Sequence, residues 1–88
     1  MVDKKLFEKK LKILIFGGSG FLGSEVAKAL SERGHVVTIA DLKRPLRIKK
    51  NIKFKKIDIK NEKKIFQIVR KNNVVYNFAA IADIQDSY

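Results

Sequence analysis

The sequence predicts an open α/β sheet with helices on its faces, and three observations point there. Short β-branched runs alternate with segments of helical period, in the order β-α-β-β-α-β. The first strand–helix–strand unit, Leu11 to Ala40, takes thirty residues, and a right-handed crossover of that kind makes its two strands parallel. Between that strand and helix stands "FGGSGFLGS", Phe16 to Ser24, with four glycines in the seven positions from Gly17 to Gly23.

Each element has a local cause. Residues 1–10 are a polar N-terminal arm. "LKILIF", Leu11 to Phe16, is a short apolar run stopped by glycine, which suits a buried strand. From Phe21 to Arg33 the pattern is helical, with Leu22, Val26, Ala29 and Leu30 expected on the buried face, and Gly34 falls where a helix C′ glycine belongs. "HVVTIA", His35 to Ala40, is a second strand and ends at Asp41. The basic stretch "LKRPLRIKKN" is broken by Pro45 and reads as a loop, shorter than the dozen or more residues of an ordinary crossover. "IKFKKIDI", Ile52 to Ile59, alternates and then slips before Ile57, which predicts a third strand with a bulge or a half-exposed end. Asn61 can cap a helix over Glu62 to Lys71 with Ile65, Phe66, Ile68 and Val69 on its apolar face. "VVYNFAA", Val74 to Ala80, is a fourth strand, and the tail from Ile81 to Tyr88 reads as loop.

Composition sets bounds. A chain of 88 residues makes one small domain with a thin core. It has no cysteine, which excludes disulfides and thiolate metal sites. Apolar runs such as Ile13 to Phe16 fall far short of a membrane helix, and no apolar region follows the charged start, so the expectation is a cytoplasmic protein with no membrane partner. The net charge is +11. Sixteen of the twenty cations are lysine, scattered along the chain with Phe54 the one aromatic set directly between two of them, which argues for a solvated surface over a nucleic-acid site. His35, the sole histidine, has no partner at metal spacing and reads as a surface residue. Asp58, Asp83 and Asp86 show no metal spacing either.

The glycine stretch carries the chemistry. Gly18-Ser19-Gly20-Phe21-Leu22-Gly23 satisfies G-x-G-x-x-G, with a strand before it and a helix opening inside it. Gly17 and Gly18 allow a tight turn, including positive φ. Gly20 leaves no Cβ where a pyrophosphate would approach the backbone, and Gly23 lets the helix pack close on the sheet. Ser19 reads as a helix cap or a phosphate contact. The helix N-terminus then faces the anion. Asp41, eighteen residues after Gly23, stands where a carboxylate accepts hydrogen bonds from both ribose hydroxyls and repels a 2′-phosphate. This favours NAD over NADP, although Lys43 and Arg44 could reach such a phosphate.

The glycines also fit Gly17-x-x-Gly20-x-x-Gly23. With "GGSGFLG" as it stands, the chain over residues 11–88 resembles the extended short-chain dehydrogenase/reductase family, the NAD-dependent epimerase/dehydratases. "HVVTIADL" is similar to that family's second strand and ribose-binding acid, followed by Leu42. "IDIKN" is similar to its stretch after the third strand, where the resemblance places Asp58 and Ile59 at the adenine. "VVYNFAAIADIQDS" is similar to its fourth strand, which puts Phe78, Ala79 and Ala80 beside the cofactor and Ser87 where a serine is frequent. Two departures are Phe16 for the usual threonine and Asn77 for the usual histidine.

The resemblance implies the N-terminal part of a Rossmann-like NAD(P)-binding domain, strand order 3-2-1-4. It implies a nucleotide-sugar substrate for the full-length protein. The cofactor-contacting set is then Gly17, Gly18, Ser19, Gly20, Phe21, Leu22, Gly23, Asp41, Leu42, Asp58, Ile59, Phe78, Ala79 and Ala80. The family's catalytic pair resembles Tyr-x-x-x-Lys, whose lysine lowers the tyrosine pKa. Tyr76 is followed by Ala80 at that spacing, and Tyr88 is the last residue, so the pair is absent and no catalytic residue is expected here. The expectation is a partial sequence without the catalytic half or substrate domain, with an open apolar edge at the fourth strand that invites pairing with another chain, a homo-oligomer included. A non-catalytic dinucleotide-binding module is the alternative, and a basic nucleic-acid-binding protein is the less favoured one.

Overall fold

The computed structural model describes residues 9–17 and 19–78. The elements are β1 (Lys12–Phe16), α1 (Phe21–Glu32), β2 (Val36–Asp41), β3 (Ile52–Lys56), α2 (Glu62–Arg70) and β4 (Val74–Asn77). The four strands form one parallel sheet in the order β3-β2-β1-β4, the order the family resemblance implies. Alternation along β1 and β2 divides the core between two faces. Ile13, Ile15, Val37, Ile39 and Ile52 pack on the α1 side with Ala27, while Leu14, Phe16, Ala40 and Ile57 pack on the α2 side with Ile68.

The buried face of α1 differs from the predicted one. Gly23, Ala27 and Ser31 are buried, whereas Leu22 is 55% exposed and Ala29 is exposed. Spacing of i, i+4 and i+8 keeps small residues on one stripe, so the helix axis can approach the sheet closely. Val26 and Leu30 pack at its flanks. In α2, likewise, Ile68 is buried and Ile65 and Val69 are half-buried, but Phe66 is 64% exposed beneath the Arg70 guanidinium, 5.5 Å from the ring centroid.

The C-terminus of α1 is closed by a Schellman arrangement. Gly34 N–H donates to Ser31 O at 3.0 Å and His35 N–H to Leu30 O at 3.2 Å. Gly34 has φ +92°, and a Cβ there would meet nothing within 4 Å. The cost of a side chain is therefore backbone strain alone. Gly34→Ala is expected to destabilise the fold by about 1 kcal/mol, read by thermal or urea denaturation. His35 is half-buried rather than a plain surface residue: its Nδ1 accepts the Leu11 N–H at 3.1 Å and helps align the start of β1 beside β2.

The β2–β3 connection, 42–51, contains no helix, yet several contacts hold it against α1 and β3. Pro45 is buried and Ile48 packs on the α1-side core. Asn51 Nδ2 donates to the buried Ser31 Oγ, and Arg44 lies over the Phe54 ring at 5.7 Å. Lys49 Nζ donates to Glu32 Oε1 at 2.7 Å. That hydrogen bond, and then the ammonium charge, hold the Glu32 carboxyl below its ordinary value. Because the folded value is the lower one, the pair's contribution is present at neutral pH and is lost as acid protonates Glu32. Both side chains are exposed, so an NMR titration of Glu32 in about 1 M salt is expected to show the depression reduced.

No bulge is needed to explain the slip in "IKFKKIDI". β3 ends at Lys56, and Ile52 and Phe54 belong to the α1 side. Ile57 lies one residue past the strand and joins the α2-side core, so the broken alternation marks a change of face. The predicted strand to Ile59 is shortened accordingly. No helix among the described residues is long and apolar enough to cross a membrane.

Candidate functional site at the carboxyl edge of the sheet

Parallel pairing brings the carboxyl ends of all four strands to one edge. In open α/β sheets a crevice forms there, where connections leave to opposite faces on either side of a strand pair. Here the connection from β1 runs through α1 to β2, and the one from β3 runs through α2 to β4 on the other face. The division falls between β1 and β4.

The chain leaves β1 through Gly17, with φ +73°, a value suited to glycine. The Gly17 N–H donates to Ala40 O at 3.0 Å, which fastens the turn to the end of β2. Gly20 is the N-cap of α1, with φ −74° and ψ 170°. No side chain caps this helix and no acidic residue lies in its first turn. The α2 N-terminus is different: Asn61 Oδ1 accepts the Lys64 N–H at 3.2 Å, and Glu62 stands in the first turn. The α1 N-terminus thus presents the positive end of its dipole without a side-chain acceptor.

Asp41 ends β2 and faces this turn. Its Oδ2 accepts the Ser19 N–H at 3.2 Å, and its Oδ1 accepts the Leu42 N–H at 2.6 Å. The Ser19 hydroxyl donates to Lys43 O. Ser19 is therefore a tether between the glycine turn and the β2 exit, and the helix-cap role expected of it belongs to Gly20. The backbone carbonyl of Asp41 accepts the Ile57 N–H at 3.1 Å, which extends the row to the β3 exit. Beyond it, Asp58 Oδ1 accepts the Lys60 N–H at 2.9 Å, and Asp58 O accepts the Asn61 N–H at 2.9 Å. Asp58 thus shapes the turn into α2, a structural task the sequence motif did not reveal. Ile59 is exposed beside it. On the other side of β1, the Phe78 N–H donates to Phe16 O at 2.8 Å, and Phe78 stacks on Tyr76 with centroids 6.4 Å apart.

Gly17, Ser19, Gly20, Asp41, Leu42, Asp58, Ile59 and Phe78 are thus drawn to one edge, together with the first residues of α1. Phe21 is 84% exposed and Leu22 is exposed, whereas Gly23 is buried in the helix–sheet contact. Gly18, Ala79, Ala80 and Ser87 lie outside the described residues. A cavity of about 660 Å³ opens next to Ser19 and Phe21, between α1 and the segment 45–49. That wall was unforeseen: "PLRIKK" reads as a basic loop, and only the apolar Pro45 and Ile48 within it hint at packing. Among the described residues no three His, Cys, Asp or Glu side chains come together to hold a metal ion.

Whether these residues fit a dinucleotide can be judged at Gly20. Its φ is open to any L-residue, and an added Cβ would meet only Gly17 O, at an ordinary 3.8 Å. Among the described residues, neither backbone strain nor packing requires glycine there. The empty position lies at the uncapped helix N-terminus and one residue from the amide held by Asp41, so it suits close approach of a pyrophosphate with a ribose beside the carboxylate.

A parallel sheet in this order, with a glycine turn and an acid at adjacent strand exits, defines a Rossmann-like domain. The chain belongs to the NAD dependent epimerase/dehydratase family, whose model matches residues 13–88. It is 35% identical to a UDP-N-acetyl-alpha-D-glucosaminuronate decarboxylase of Bacillus cytotoxicus, covering 86% of this chain and 26% of that protein. An epimerase structure from Methanothermobacter thermautotrophicus superposes with a TM-score of 0.68 and 25% identity, over 81% of this chain and 23% of that one. A UDP-glucose 4-epimerase structure gives 0.65 and 30%, over 77% and 22%. A short-chain dehydrogenase from Leptospira borgpetersenii, solved with bound NAD+, gives 0.63 and 29%, over 77% and 28%. The chain spans about a quarter of the length of these relatives.

Proposed function

We propose that this chain holds the adenosine diphosphate half of NAD for an epimerase or dehydratase acting on a nucleotide sugar. The observation that supports it most is Gly20, whose missing side chain serves no contact among the described residues and leaves room at an uncapped helix N-terminus beside Asp41. Backbone N–H groups at Phe21 and Leu22 would hold the pyrophosphate, beside the Gly20 N–H that donates to Gly17 O at 3.4 Å, and Asp41 would hold the adenosine ribose. Leu42, Asp58, Ile59 and Phe78, with Ala79 and Ala80, would flank the adenine and the cofactor's inner side. The bound nicotinamide would supply hydride transfer. No Tyr-x-x-x-Lys pair is present, so proton transfer is assigned to no residue of this chain. The nucleotide-sugar class is supported by the two relatives named for UDP-sugars.

NAD is favoured over NADP by placement. The Arg44 guanidinium rests over Phe54, and the Lys43 carbonyl is engaged by Ser19, so this loop is held to β3 and the glycine turn, and Asp41 is the group that would meet the ribose. Calorimetric titration of the chain is expected to give saturable NAD+ binding and NADP+ binding weaker by roughly tenfold, the effect of setting a carboxylate against a 2′-phosphate. Absence of saturable binding of either dinucleotide would contradict the reading.

A further inference from the structure

The lysines that look scattered in the sequence are gathered by the sheet register. On the α2 side, the cross-strand rows run Leu14–Thr38–Lys53 and Phe16–Ala40–Lys55 from β1 to β3. Each row starts with a core residue and ends with an ammonium. On the α1 side the matching rows, Ile13–Val37–Ile52 and Ile15–Ile39–Phe54, remain apolar to the edge. Lys53 and Lys55 therefore mark one face of β3, while Lys56, in register with Asp41, ends the strand at the alternate position. The apolar stripe of α2 sits on Leu14, Phe16, Ala40 and Ile57, and Lys64 and Lys71 lie along its flank. Between that flank and β3 runs a groove of about 470 Å³, lined by Lys12, Lys53, Lys55, Lys56, Lys64 and Lys71. Among the described residues no acidic residue lines it, and the one ion pair is Lys49–Glu32, on the opposite side of the sheet.

The geometry points to this groove as a binding site for a linear oligophosphate, a run of phosphate groups without bases. Six ammonium groups along one concavity repel one another, and a chain of oxyanions relieves that repulsion. The lining holds neither arginine nor an aromatic ring, so it supplies point charges without planar forks or stacking platforms for bases. A duplex is too broad for a concavity of this size, whereas an extended phosphate chain can lie along it. The glycine turn, Asp41 and Asp58 do not line the groove, which meets that site only at its end, where Lys56 pairs in register with Asp41.

Tripolyphosphate is the probe, titrated into the chain at low salt and followed by calorimetry and by the rise in melting temperature that binding to the folded state produces. Saturable binding is expected. The triple variant Lys53→Gln, Lys55→Gln, Lys64→Gln is expected to lose about tenfold or more in affinity, as three exposed ion pairs would give. Lys9→Gln, Lys28→Gln, Lys50→Gln removes the same charge elsewhere and is expected to lose less than about twofold, the scale of screened long-range attraction. Equal losses in the two triple variants, no saturable binding, or tighter binding of a single-stranded oligonucleotide of equal charge would each overturn the proposal.

Discussion

Gly20→Val is expected to keep the fold and to weaken NAD+ binding by roughly 100-fold or more. The backbone at this position, φ −74° and ψ 170°, suits a β-branched residue, and the nearest atom to a new Cβ is 3.8 Å away. Valine is a poorer N-cap than glycine, so a loss of up to about 1 kcal/mol in stability is expected. The effect on binding has a different origin. The valine methyl groups occupy the space through which a pyrophosphate reaches the N–H groups of the first turn of α1. Losing two charge-assisted hydrogen bonds, at about 1.5 kcal/mol each, gives the stated factor. Calorimetric titration alongside a denaturation curve separates the two. A valine variant that binds NAD+ as tightly as the parent would mean that no pyrophosphate passes Gly20.

Asp41→Ala is expected to act on stability and on cofactor choice together. The carboxylate accepts the Ser19 N–H at 3.2 Å and the Leu42 N–H at 2.6 Å, and so ties the glycine turn to the exit of β2. Removing it leaves two partly exposed donors to water, at a cost of about 1–2 kcal/mol by urea denaturation. It also removes the ribose acceptors and the negative charge that opposes a 2′-phosphate. NAD+ binding is expected to weaken by roughly tenfold, with the preference over NADP+ abolished. Asp41→Asn separates the roles. It keeps one acceptor oxygen for the tether and so recovers part of the stability, while the lost charge still erases the preference. A preference for NAD+ that survives both substitutions would remove Asp41 from the ribose site.

Much of this architecture is legible in the sequence because its signals are local. The β-branched runs, the glycine turn, Gly34 at the C′ position and Asp41 at the strand end each report a backbone requirement within a few residues of themselves. The elements therefore fall where the pattern puts them, with ends moved by a few residues. What stays hidden depends on contacts between elements. The buried stripe of α1 is Gly23, Ala27 and Ser31 because the helix lies close to the sheet, and a reading that seeks large apolar side chains selects Leu22 and Ala29 instead. Ile57 breaks the alternation of β3 because it serves the opposite face. The concentration of lysine beneath β3 emerges only when Lys53 and Lys55 are set in register with Thr38 and Ala40.

The candidate site divides in the same way. The glycines and Asp41 announce themselves by spacing, while their mutual hydrogen bonds do not. Ser19 shows this most clearly. Read alone it is a cap or a phosphate contact; in the fold its backbone and hydroxyl both reach the β2 exit, at Asp41 and Lys43. Asp58, similarly, has its carboxylate committed to the turn before α2.

The most direct test of the dinucleotide reading is a map of backbone amide chemical shifts as NAD+ is added to isotopically labelled chain. The account predicts the largest changes at Gly20, Phe21 and Leu22, with smaller ones at Ser19 and Leu42 beside Asp41. Saturable binding whose largest changes fall elsewhere, or no change at the glycine turn at saturating NAD+, would contradict it.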